Sequence, residues 1–115
     1  MPKINKNLRD AALSRATRHG LALMATELQL ARKQRKLTET DLANRVGCSR
    51  DTIRAIEAGK STVAVGYIFE AAFILGIDLF GGPAEIDNRL ETNRKLLELL
   101  PKSVRARKPE FRDDF

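Results

Sequence analysis

The sequence predicts an all-α fold, a compact helical bundle organised around residues 37–60. Three observations point there. Tryptophan is absent and aromatic residues make up 5% of the chain, so the core must come from Leu, Ile, Ala and Val, which suits packed helices better than a sheet. Two short segments carry apolar residues at helical spacing, Leu42, Ala43 and Val46 in the first, Ile53 and Ile56 in the second. Between them, Gly47-Cys48-Ser49 supplies a glycine able to take positive φ and a serine able to cap the next helix.

This is the layout of a helix-turn-helix, whose second helix usually lies in the major groove of DNA. Charge agrees with a polyanionic partner. The net charge is +6 with a pI near 9.9, and residues 32–60 hold eight Lys/Arg against four Asp/Glu. With 115 residues and 43% apolar content, the chain suits one folded domain, with room for a tail. Cys48 is the sole cysteine, which excludes an intrachain disulfide and a cysteine-rich zinc site. Met1-Pro2-Lys3 opens without an apolar core of signal-peptide length and no run approaches a membrane span. The expectation is a cytoplasmic, nucleoid-associated protein with no membrane partner. A Gly-rich phosphate loop, paired carboxylates with an evident cleft and a nucleophile–base constellation are missing from the sequence, so neither an enzyme nor a metal or cofactor site is expected.

Taken in order, residues 1–19 contain five Lys/Arg against one acidic residue and only a thin apolar stripe, Leu8, Ala11, Ala12 and Leu13. They read as a basic N-terminal arm or weak helix, which either contacts phosphates or only solubilises the end. Gly20 breaks the pattern, and a stronger helix follows to about Lys36, with Leu21, Met24, Leu28, Ala31 and Arg35 on one face. Thr38 is the expected cap of the next helix, with Asp41 completing a shortened capping box and Glu39 and Asp41 suiting the helix dipole. Gly47 stops that helix. Ser49 caps another over about Arg50–Ala58, and Gly59 ends it. A helix over about Gly66–Leu75 buries Ile68, Ala71, Ala72 and Leu75, flanked by Phe69 and Phe73, and Ile77-Asp78-Leu79-Phe80 packs a turn on the bundle. The helix-turn-helix domain is thus bounded at residues 20–82. After Gly81-Gly82-Pro83, a last helix over about Ala84–Leu99 carries Ile86, Leu90, Leu97 and Leu100, a candidate dimer or partner surface within residues 83–100. Residues 101–115 hold two prolines and five basic residues and read as a flexible tail.

Over residues 21–80 the sequence resembles the Xre family, the Cro/CI-type (lambda-repressor-like) helix-turn-helix domains. The carriers are LxxARxxRxLT at Leu28–Thr38, DLAxRVG at Asp41–Gly47, SRDTIRAIEAGK at Ser49–Lys60, and AAFILGIDLF ending at Phe80. The resemblance implies a compact five-helix bundle with an extra C-terminal helix and flexible tail. It also implies roles. Arg32 and Glu57 match an internal ion pair linking two helices. Arg50, Asp51 and Thr52, followed by Arg54 and Ala55, match the base-reading start of the recognition helix. Arginine can grip guanine O6 and N7, aspartate can accept from cytosine N4, and threonine can touch a thymine methyl. Thr38, Glu39, Lys60, Ser61 and Thr62 fall where the family holds backbone phosphates. Glu39 departs from the pattern: the family often has glutamine there, and a carboxylate cannot donate to phosphate and repels it.

The ending, LLELLPKSVRARKPEFRDDF, resembles the tail of HipB-like antitoxins encoded beside HipA-like kinases. Three functions follow as expectations. The first is a dimeric repressor of palindromic operator DNA that autoregulates its operon and binds a HipA-like kinase toxin. The second is a stand-alone phage or mobile-element repressor. The third is a protein-interaction module that keeps the fold without binding DNA, an option that Glu39 and Asp51 hold open.

Overall fold

The computed structural model describes residues 12–104, and among them it contains five α-helices, one 3-10 turn and no strand. The helices are α1 (Arg15–Gln34), α2 (Glu39–Val46), α3 (Arg50–Glu57), α4 (Val65–Ile74) and α5 (Pro83–Glu98), and the 3-10 turn spans Leu79–Gly81. The all-α expectation holds. The chain divides into two compact units, one through Leu79 and one from Phe80 onward.

The first helix begins earlier than the sequence pattern suggests. Ser14 caps α1, its Oγ accepting from the Thr17 N–H at 3.2 Å, and Gly20 lies inside the helix rather than before it. A lone glycine costs a helix only about 1 kcal/mol relative to alanine, too little to end a run of good helix formers on both sides. Arg15–His19 are therefore helix, while the arm up to residue 11 and the tail from residue 105 lie outside the described residues. Arg35 also differs from expectation. It is the exposed C-cap of α1 rather than part of its apolar face, because the helix stops one residue earlier.

The core sits where α3 packs against α1 and α2, and α4 closes over α2. Leu28 and Ala31 of α1, Leu42 and Ala43 of α2, Ile53 and Ile56 of α3, and Ala71, Ala72 and Leu75 from α4 form one buried cluster. Met24, Val46, Cys48, Ile68, Ile77 and Leu79 pack on it. Burial pushes the Cys48 thiol above its ordinary pKa. Small residues at 43, 71 and 72 let helix backbones approach closely. Phe69 and Phe73 flank α4 as expected, but on its outside, at 39% and 67% exposure.

Four helices end alike. A residue in the left-handed region lets the following N–H return to a carbonyl five residues back: Leu37 to Arg32, Cys48 to Ala43, Lys60 to Ala55, and Ile77 to Ala72, at 2.8–3.1 Å. The left-handed residue is Gly47, Gly59 or Gly76 in the last three, and Lys36, at φ +56°, in the first. These tight stops hold α2 and α3 at a short, fixed turn.

The second unit, from Phe80, is built on α5. Pro83 sits at the start of α5, where its missing N–H costs nothing, and Arg89 lies over the Phe80 ring at 5.7 Å. No residue of α5 is buried, and Leu90, Leu96 and Leu97 are exposed along it. No described helix is long and apolar enough to cross a membrane.

Candidate nucleic-acid interface

Local sequence fixes the start of each helix in the α2–α3 pair. The Thr38 Oγ1 accepts from the Asp41 N–H at 3.0 Å, and the Thr38 N–H donates to Asp41 Oδ2 at 2.9 Å, a reciprocal capping box at the start of α2. The hydrogen bonds from Thr38 hold the Asp41 carboxyl below the usual carboxylate range, first the backbone one and then the side-chain one. Ser49 does the same work for α3 alone. Its Oγ accepts from the Thr52 N–H at 3.1 Å and lies 3.0 Å from Thr52 Oγ1. Ile53 and Ile56 face the core, which turns the opposite side of α3 outward.

On that outward side Arg50, Asp51 and Arg54 are exposed, and Thr52 and Ala55 are half-buried. The structure brings these five candidate base-reading residues onto the first turn and a half of one exposed helix. Asp51, Thr52 and Ala55 share an open hollow of about 270 Å³ with Thr62, Val63, Ala64 and Tyr67. Tyr67 is a residue the sequence reading missed. It carries no periodic or motif signal, and only the packing of the α4 start beside α3 places it there. Its half-exposed ring ends in a hydroxyl able to donate to a phosphate or base.

A second hollow of about 510 Å³ runs on the other side of Arg50, lined by Lys36, Thr38, Glu39 and Thr40 with Arg32 and Leu37. It gathers two of the candidate backbone contacts, Thr38 and Glu39, beside Lys36 and Thr40, which the sequence reading did not single out. The Thr38 hydroxyl accepts the Asp41 N–H within the capping box, at the rim of this hollow. Lys60 and Ser61, half-buried, and exposed Thr62 follow α3 in the loop to α4.

Glu39 stands apart from its neighbours. Its carboxylate Oε1 accepts from Arg54 Nε at 3.4 Å and lies 3.5 Å from Arg50 Nε, so it faces the arginines of α3 rather than standing alone at the surface. Beneath this surface, Arg32 of α1 binds Glu57 at the end of α3 through two hydrogen bonds of 2.6 and 3.0 Å, and donates to the Leu37 carbonyl at 2.8 Å. The bond to Glu57 and its charge raise the Arg32 pKa against the opposing effect of burial. Among the described residues no group of three or more His, Cys, Asp and Glu side chains is placed to hold a metal ion.

The arrangement offers a basic helix edge with base-edge donors and acceptors, flanked by hydroxyls and backbone N–H groups. Comparison with known proteins bears on what that edge belongs to. The helix-turn-helix family model HTH_3 matches residues 28–80. Over 56 residues the chain is 38% identical to an uncharacterized HTH-type transcriptional regulator of Methanocaldococcus jannaschii, covering 49% of this chain and 85% of that protein. No solved structure matches. Residues 28–80 run from the C-terminal half of α1 to the turn after α4, and the chain belongs to the Cro/CI-type helix-turn-helix family.

Proposed function

We infer that this protein is a DNA-binding transcriptional regulator, a sequence-specific repressor that binds a palindromic operator as a homodimer. The observation that carries the reading is the exposed row Arg50, Asp51, Arg54 at the front of α3, held rigidly by two caps and a glycine turn. Arginine and aspartate at those places match donor and acceptor patterns found in the major groove. Thr38, Thr40, Lys60, Ser61 and Thr62 on either side supply groups suited to the phosphates that fix register. One α3 covers a half-site, so a dimer is needed to read two half-sites about one helical turn apart. The exposed leucines of α5 and the corner at Ile77–Phe80 are the candidate dimer surfaces.

Selection from a random duplex pool tests this. Enriched sequences forming an inverted repeat with half-sites about 10 bp apart support the repressor. Enrichment of nothing supports the interaction module, whose case rests on acidic Glu39 and Asp51 within the reading surface.

A finer reading is that the repressor is a HipB-like antitoxin that autoregulates its operon and restrains a HipA-like kinase. Its support is the resemblance of residues 96–115 to the tails of such antitoxins. A HipA-like kinase frame beside the gene, and co-purification of that kinase lost on deleting residues 101–115, would bear it out. Their absence favours a stand-alone phage or mobile-element repressor.

A further inference from the structure

Glu39 opens α2, and its carboxylate reaches across the turn to α3. A single oxygen, Oε1, engages two arginines spaced four residues apart on one face of α3, Arg54 at 3.4 Å and Arg50 at 3.5 Å, each through Nε. The carboxylate is the covered partner, at 23% exposure, and the arginine side chains are the open ones, at 54% and 56%. Glu39 is thus the less exposed member of the trio and is shared between the two guanidiniums.

We propose that Glu39 is a specificity-determining residue: its carboxylate braces Arg50 and Arg54 for base contact while cancelling one of their two charges toward phosphate. The proposal rests on the reading of α3 as the base-reading helix. Affinity for random DNA comes from neutralised phosphates, and the trio Arg50, Arg54, Glu39 presents a net charge of one rather than two. Every phosphate register on random DNA feels that loss. A matched base edge depends instead on the direction of the guanidinium fork, and a side chain already held in place loses less freedom on binding. The same carboxylate therefore weakens the unspecific complex and favours the matched one. A glutamine there keeps the shape and removes the charge.

The test compares the full-length protein with Glu39→Gln by fluorescence anisotropy on two probes. One is a random-sequence duplex, and the other is a duplex enriched from a random pool by the wild-type protein. The expected result for Glu39→Gln is tighter binding to random duplex. Its slope of log affinity against log salt should be steeper by about 0.9, so that its advantage is about threefold larger at 50 mM salt than at 200 mM. The ratio of enriched to random affinity should fall. The gain on random duplex should vanish when Glu39→Gln is combined with Arg50→Ala and Arg54→Ala. A gain that persists in that background makes Glu39 a simple repeller of phosphate and overturns the proposal. Equal gains on both probes, or no change on either, also overturn it. If wild-type protein enriches no sequence, the base-reading assignment itself fails and takes this proposal with it. Selective wild-type binding with an indifferent Glu39→Gln sinks the proposal alone.

Discussion

Arg32 and Glu57 meet through a two-pronged contact, Nε to Oε2 at 2.6 Å and Nη2 to Oε1 at 3.0 Å, with both side chains less than a tenth exposed. The pair ties α1 to the end of α3, and a third bond from Arg32 to the Leu37 carbonyl fixes the entry to α2. One guanidinium thereby sets the mutual position of three helices.

Removing one member leaves the other charge covered and unmatched. Glu57→Ala is expected to lose about 3–5 kcal/mol of stability. For a domain of this size that is a fall in Tm of well over 10 °C, by the usual ~4–8 °C per kcal/mol. Thermal unfolding followed by circular dichroism checks it. An unchanged Tm would mean that the pair does not hold the fold.

Two glycines should respond to alanine with opposite signs. Gly20 lies in α1 with open space where a Cβ would go, so Gly20→Ala should stabilise by about 0.5–1 kcal/mol through helix propensity. Gly47 also has open space, but its φ of +86° is left-handed, so Gly47→Ala should cost about 1–2 kcal/mol. Urea denaturation of both variants decides the matter. A gain at Gly47 would contradict the backbone account of the turn.

That contrast also shows how far the sequence could be read. Glycines 47, 59 and 76 announce the ends of α2, α3 and α4, because the left-handed stop favours their residue type. Gly20 looks the same in one dimension and ends nothing, while Lys36 takes the left-handed place that no sequence signal marks. The caps at Thr38 and Ser49 were legible because a hydroxyl three residues before its target N–H is local chemistry. The covered Arg32–Glu57 pair came only through family resemblance, since 25 residues separate its members. The Glu39 bracket and the place of Tyr67 were not legible at all. Both depend on how two helices cross, and Glu39 read in isolation looked only like a phosphate contact gone wrong.

Asp41 gives the fold an acid sensitivity. Its folded pKa lies below the ordinary carboxylate value of about 3.9, because the charged form accepts the Thr38 N–H. A depressed pKa means that the charged carboxylate contributes stability fully above the unfolded value, and that this is lost as pH falls through the folded one. Asp41→Asn should lack this component, so its stability should decline less steeply than wild type below about pH 4. Denaturant titrations across that range compare the two. Parallel curves would remove Asp41 from the capping box in solution.

Arg50→Ala should separate base contact from phosphate contact. On a duplex enriched by the wild-type protein it is expected to cost about 1–3 kcal/mol and to relax one base preference. On random duplex the loss should be smaller. Equal losses on the two would make Arg50 a backbone contact and leave Arg54 and Asp51 as the readers.

The most direct test of the account is the affinity of the full-length protein for its enriched duplex against a random duplex, titrated across salt. Binding to both should weaken as salt rises, with the enriched duplex held about a thousandfold or more tighter at physiological salt. Equal affinities for the two duplexes, or affinities that salt does not move, would contradict it.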